Sequence, residues 1–165
     1  MRALLDGLLE YSRVQARPLN QESVGLNRPV QHAIDNLTVL IQEKGAQILV
    51  GELPEVIGDE VQMTQLFQNL ISNGIKFCQA DRPTIRISAR QLEGRWVVDV
   101  ADNGIGIDPA HHSRIFQIFQ RVNGRSEYPG TGVGLSVCNR IMLRLNGCIG
   151  LDSALGKGST FHLYF

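Results

Sequence analysis

The chain is short of the residues that build disulfide frameworks, zinc sites and membrane spans. Its three cysteines, Cys78, Cys138 and Cys148, are odd in number and show no Cys-x-x-Cys spacing. That excludes a disulfide scaffold and a zinc ribbon, and it reads as reduced thiols of a cytoplasmic protein. No apolar run approaches the roughly 20 residues that a membrane helix needs, and the N-terminus has no signal-peptide pattern. Neither sign of charge is in excess: 16 Lys and Arg against 16 Asp and Glu give a net charge of 0. No global field therefore draws the chain to nucleic acid or to an anionic membrane. Internal repeats and low-complexity segments are also missing. What is plentiful is glycine: 17 residues, clustered after position 94, more than a core needs. With 165 residues, 43% hydrophobic and 19% charged, the chain has the size and composition of one ordinary globular domain.

Hydrophobic periodicity divides the chain into alternating elements. Leu4, Leu5, Leu8, Leu9 and Val14 make a helical stripe over residues 2–15, broken at Arg17-Pro18. Ser23–Leu26 reads as a short strand. Asn27 is a candidate N-cap, with Pro29 in the first turn of a helix that runs to Gly45. Residues 46–50 read as a strand. Asp59 is a second N-cap, with Gln62 spaced for a capping box, and opens a helix to Phe77. Ile85, Ile87 and Ala89 alternate as a half-buried strand, and Glu93-Gly94 turns it into a second one. A short helix over 109–115, a helix over 133–145 and strands over 148–153 and 159–165 complete the chain. Helices and strands come mixed, with hairpins, which predicts α+β with a mostly antiparallel sheet.

Four segments carry candidate chemistry, of which the last, Leu155–Phe161, reads equally well as a hairpin tip. In Trp96-Val97-Val98-Asp99-Val100-Ala101-Asp102, period-two alternation puts Asp102 on the same face as Trp96, Val98 and Val100. A carboxylate aimed at an apolar side is costly without a partner. Gly104 and Gly106 follow, where the backbone can turn or approach a ligand closely. An Asp-Asn-Gly turn closing a strand accounts for this segment equally well on its own. On the helix from Asp59, Asn69, Asn73 and Lys76 form one stripe, which Gln62 and Gln65 extend. Two carboxamides and a cation could serve a hydrated Mg²⁺ and a phosphate, although polar residues on an amphipathic helix need no function. Gly130-Thr131-Gly132-Val133-Gly134-Leu135 opens a helix, where bare backbone N–H groups attract phosphate. Two other phosphate motifs fail. Lys157 is followed by Gly158 where a P-loop needs Ser or Thr, and position 137 is Val where a dinucleotide fingerprint needs Gly.

Taken in order, these segments resemble the ATP-binding catalytic domain of sensor histidine kinases, within the gyrase/Hsp90/histidine kinase/MutL superfamily. Asn69-Leu-Ile-Ser-Asn73-Gly-Ile-Lys76-Phe77 is similar to the N box and Asp102-Asn-Gly104-Ile-Gly106 to the G1 box. Ile115-Phe-Gln-Ile-Phe119 is similar to the F box, Gly130–Leu135 to the G2 box, and Gly156–Phe161 to the closing segment. Gly124–Gly130 also resembles phytochrome-like and PAS-linked kinases. The resemblance implies a two-layer α/β sandwich with helices on one face of a mixed, mostly antiparallel sheet, and ATP and Mg²⁺ as ligands. It implies that Asp102 accepts a hydrogen bond from the adenine amino group and that Asn73 coordinates Mg²⁺. Asn69 would lie beside it, Lys76 on phosphate, and Phe77 near the adenine. It also implies nucleotide contacts for Gly104, Gly106, Ile107, Phe119, Gly130, Thr131, Gly132, Val133, Gly134, Leu135 and Thr160. Arg121, in a lid over 120–130, would meet the γ-phosphate.

Asn69 separates enzyme classes. ATPases of the superfamily carry a Glu there as general base for water, whereas a carboxamide cannot accept a proton at neutral pH. The phosphoacceptor pattern His-[Glu/Asp]-x-[Arg/Lys]-x-Pro occurs nowhere: His32 is followed by Ala and His112 by Ser. Residues 1–18 resemble the end of a dimerisation and phosphotransfer helix with its linker, and residues 19–165 the catalytic domain. The resemblance therefore implies a piece of a larger kinase, expected to be a homodimer. Its partners would be a dimerisation/histidine-phosphotransfer domain, a response regulator receiver domain and an upstream sensor domain. Nucleic acid and membrane contacts are not expected. A serine kinase or anti-sigma factor of the same superfamily, and a nucleotide-binding module without phosphotransfer, are the alternatives.

Overall fold

The computed structural model describes residues 9, 12–14, 16–118 and 132–165. Its main sheet has five strands in the order β2-β4-β5-β7-β6: β2 (Gln47–Val50), β4 (Thr84–Leu92), β5 (Arg95–Asp102), β7 (Ser159–Tyr164) and β6 (Cys148–Ser153). Only β2 against β4 is parallel; the other pairings are antiparallel. This matches the expected mixed, mostly antiparallel sheet. A separate two-stranded ribbon pairs β1 (Glu22–Gly25) with β3 (Glu55–Gly58). The periodicity did not predict β3, because four residues with one buried valine, Val56, carry too short an alternation to read.

The helices are α1 (Asn27–Asn36), α2 (Thr38–Lys44), α3 (Glu60–Lys76) and α4 (Gly134–Arg144). The single helix expected from Asn27 to Gly45 is thus two, divided at Leu37. Asn27 is not the N-cap but the first helical residue. Its carboxamide instead spans Gly51 O and Leu53 N–H, each at 3.2 Å, tying α1 to the loop after β2. Asp59 does cap α3, accepting from Gln62 N–H at 3.0 Å. The capping box does not close: the Gln62 side chain is buried and has no hydrogen-bond partner among the described residues. The helix expected over 109–115 is a 3-10 turn at Pro109–His111, capped by Asp108.

One core lies between the helices and one sheet face. Leu66, Phe67, Leu70, Ile71 and Ile75 of α3 meet Ile85 and Ile87 of β4, Val98 and Val100 of β5, and Phe161 and Leu163 of β7. The period-two strands make the other face polar. There Asp99 lies between Arg90, with Nε at 2.9 Å, and His162, with Nδ1 at 2.6 Å. The second His162 nitrogen meets Asp152 at 2.9 Å. Phe67 has no exposed surface. Phe67→Ala should lower unfolding free energy by about 3–5 kcal/mol, measured by urea denaturation.

Candidate active site

Asp102 ends β5 on the core-facing side, opposite Ile85 and Ser159 in register. Its Oδ1 accepts two backbone hydrogen bonds, from Gly104 N–H at 2.8 Å and Ser159 N–H at 3.2 Å. Oδ2 has no partner among the described residues. Burial pushes this carboxyl above the ordinary aspartate value, while the two backbone donors pull it down. A partly buried acid with one oxygen left free is suited to a ligand that donates a hydrogen bond.

The chain after Asp102 is shaped by glycine. A side chain at Gly104 would meet Phe77 O at 2.9 Å, and one at Gly106, where φ is +73°, would meet Ala154 O at 1.9 Å. These close approaches let Ile105 N–H reach Phe77 O at 2.9 Å and Gly156 N–H reach Ile105 O at 2.8 Å. The loop is thereby pinned to the end of α3 on one side and to the β6–β7 turn on the other. Ile107 N–H donates to Ser153 Oγ at 2.8 Å, which in turn pairs with Ser159 Oγ at 2.8 Å.

The second wall is α3. Gly74 brings the helix so near the sheet that an added Cβ would lie 3.0 Å from Ile85 of β4 and 3.1 Å from the Asp102 Cβ of β5. One residue earlier, Asn73 faces the start of α4. A Cβ on Gly134 would lie 3.8 Å from Asn73 Nδ2 and 3.9 Å from Asn69 Cγ. Both carboxamides therefore border the N-terminal end of α4, where unpaired backbone N–H groups and the helix dipole favour an anion. Asn69 Nδ2 is buried there and has no hydrogen-bond partner among the described residues. Lys76 is exposed at the last turn of α3, and Phe77 is half-buried just beyond it.

Asn69, Asn73, Lys76, Phe77, Asp102, Gly104, Gly106, Ile107 and Gly134 thus share one region, with Gly132 and Val133 leading into α4 and Leu135 following. Phe119, Arg121, Gly130 and Thr131 lie outside the described residues. Thr160 does not join the others. It pairs with Ala101 and points to the polar face, because alternation in β7 places Ser159, Phe161 and Leu163 on the core side. Ser159 holds the position expected of Thr160, and counting back from Phe161 identifies it. Gln62 is buried rather than part of the polar stripe. Ser153 was not legible, since its role depends on a hairpin partner 46 residues from Ile107.

The Asp102 shift has a consequence for stability. Below the ordinary value of 3.8 the carboxyl is protonated in both states. As pH rises, the unfolded chain ionises first, so the folded state binds the extra proton and loses stability until its own raised pKa is passed. Asp102→Asn keeps an oxygen for Gly104 and Ser159 but cannot ionise. Across that window the substituted chain should gain stability relative to the parent, as measured by denaturant midpoints at stepped pH without nucleotide.

Residues 58–165 match the family described as histidine kinase-, DNA gyrase B-, and HSP90-like ATPase. Among curated proteins, phytochrome-like protein Cph1 of Synechocystis sp. is 45% identical over 98% of this chain and 22% of its own length. Cyanobacterial phytochrome A of Nostoc sp. is 44% identical over 98% of this chain and 21% of its own. The chain spans about a fifth of the length of these relatives. Full-length ShkA, solved with AMPPNP, superposes with a TM-score of 0.80 at 26% identity, over 98% of this chain and 34% of that one. The catalytic domain of histidine kinase ThkA gives 0.73 at 21% identity, over 88% and 95% of the two chains. The sandwich, the G1 loop and the paired carboxamides together accord with these likenesses, and the chain belongs to the histidine kinase-, gyrase B- and HSP90-like ATPase family as an ATP-binding domain.

Proposed function

We propose that this domain binds Mg·ATP and passes the γ-phosphoryl group to a histidine outside residues 1–165, as the catalytic part of a phytochrome-like sensor kinase. The observation that carries the reading is Asp102. Both of its backbone donors use Oδ1, leaving Oδ2 to accept from an adenine amino group. The phosphates would run from there toward Asn69, Asn73 and the N–H groups at the start of α4, with Lys76 and Arg121 adding positive charge. The donor set suits magnesium: Asn73 would offer a carboxamide oxygen to a hydrated Mg²⁺, a hard cation that keeps water and phosphate as its other ligands. The ion would neutralise phosphate charge. The free Asn69 Nδ2 would donate to a phosphate oxygen.

Transfer breaks the bond between the γ-phosphorus and the β,γ-bridging oxygen, which leaves with ADP. A bond forms from phosphorus to an imidazole nitrogen lone pair, and the other ring nitrogen sheds its proton to solvent. An imidazole is nucleophilic when neutral, so no general base is required. Asn69 supplies none, which disfavours attack by water. The protein's part is positioning and charge neutralisation. Residues 1–18 would be the end of a dimerisation and phosphotransfer helix with its linker, and 19–165 the catalytic domain, in a homodimer served by a sensor domain and a receiver domain.

Two outcomes test this. Asp102→Asn exchanges the free acceptor for a donor while leaving the loop's hydrogen bonds in place. It should weaken ATP binding by about 10- to 100-fold, the worth of a hydrogen bond to a charged group, and weaken GTP binding less. Equal losses in calorimetry would reject the adenine assignment. Separately, residues 1–165 incubated with radiolabelled Mg·ATP should form no acid-labile phosphohistidine, since His162 is held between Asp99 and Asp152 and none of the other three histidines stands in an acceptor pattern.

A further inference from the structure

The two helices that form the phosphate end of the site also grip the segment that leads into the domain. Residues 12–14 and 16 are helical, and Arg17 N–H closes back on Arg13 O at 3.1 Å. Such a helix end leaves carbonyls unpaired and carries the negative end of the dipole. Arg144, the last residue of α4, donates Nη2 to Arg17 O at 2.6 Å, a charge-assisted bond where a cation is favoured. Beyond Pro18, Asn20 N–H donates to Asp59 Oδ2 at 3.0 Å. Asp59 is 2% exposed, and its other oxygen is the cap of α3. Val14, 4% exposed, is buried in the core.

The grips therefore stand at the ends of α3 and α4 away from the nucleotide. Asp59 opens the helix that carries Asn69 and Asn73 downstream, and Arg144 closes the helix whose first residue, Gly134, faces those carboxamides. Both grips hold backbone atoms, so they fix the path of the chain rather than select a side chain. A helix transmits a displacement at one end to the other because its hydrogen bonds keep it stiff at 1.5 Å per residue.

Resting on the phosphotransfer reading above, we propose that Asp59 and Arg144 are positioning residues. They set the direction in which the preceding helix enters the domain, and with it whether the phosphate end of the site can reach an acceptor on that helix's side of the protein.

Substitutions can separate this role from folding. Asp59→Asn keeps one oxygen for the α3 cap, where Asn serves as well as Asp, but leaves none for Asn20 N–H. Arg144→Ala removes the second grip, and Arg144→Lys restores a single charged donor. Spin labels on Ser12→Cys and Gln91→Cys, with Cys78 and Cys148 changed to Ser, report the helix direction by pulsed dipolar spectroscopy. One narrow distance population is expected in the parent. It should broaden in Asp59→Asn and Arg144→Ala and narrow again in Arg144→Lys, with calorimetric ATP affinity unchanged throughout. In the kinase that carries this domain, phosphorylation within the chain should fall by about tenfold or more from misplacement. Transfer from the same variants to an acceptor domain supplied separately should not change. Unbroadened distances, a matching loss of ATP affinity, or equal falls in both transfers would overturn the proposal. If the parent kinase transfers no phosphate to either acceptor, the phosphotransfer reading fails, and the distances alone decide whether the grips set the helix direction.

Discussion

The site depends on one carboxylate oxygen. Asp102 Oδ1 takes N–H groups from Gly104 and Ser159, which joins the end of β5 to its own loop and to the neighbouring strand β7. That double use makes the loop rigid without consuming Oδ2. The same residue limits how near the helix comes to the strand, because Gly74 abuts the Asp102 Cβ. Loop, strand and helix thus converge on one acidic residue in a mostly apolar setting. Its cost is the desolvation that raises the Asp102 pKa, a stability sacrificed where a ligand belongs.

The other half of the site follows a different logic. Asn69 and Asn73 lie on a helix whose opposite side supplies the core, so the packing of Leu66, Phe67, Leu70 and Ile71 determines where the carboxamides point. The start of α4 is held against them by its own buried stripe, Val137, Cys138 and Ile141. No large motion is needed to bring Gly134 near both amides. Asn69 Nδ2, buried and without a partner among the described residues, carries a desolvation cost that a polar ligand would relieve.

How far the sequence reached depended on the range of each signal. Helices α3 and α4, strands β4 to β7 and the face of Asp102 were legible because periodicity is local. So was the N-cap at Asp59. Asn27 misled because its carboxamide serves Gly51 and Leu53, partners more than 20 residues away in the chain. Strand β3 was hidden because it exists only as the partner of β1. Thr160 was assigned by motif, whereas strand parity, read from Phe161, points to Ser159. Phe119, Arg121, Gly130 and Thr131 fall outside the described residues, and the resemblance alone speaks for them.

The polar sheet face carries a consequence of its own. With helices on one side only among the described residues, a sheet of five strands offers a broad surface that would stack on another protein if it were apolar. Arg90, Asp99, His162 and Asp152 place alternating charge on that surface and keep it hydrated. Such a face stays wet and does not adhere to a neighbouring protein surface.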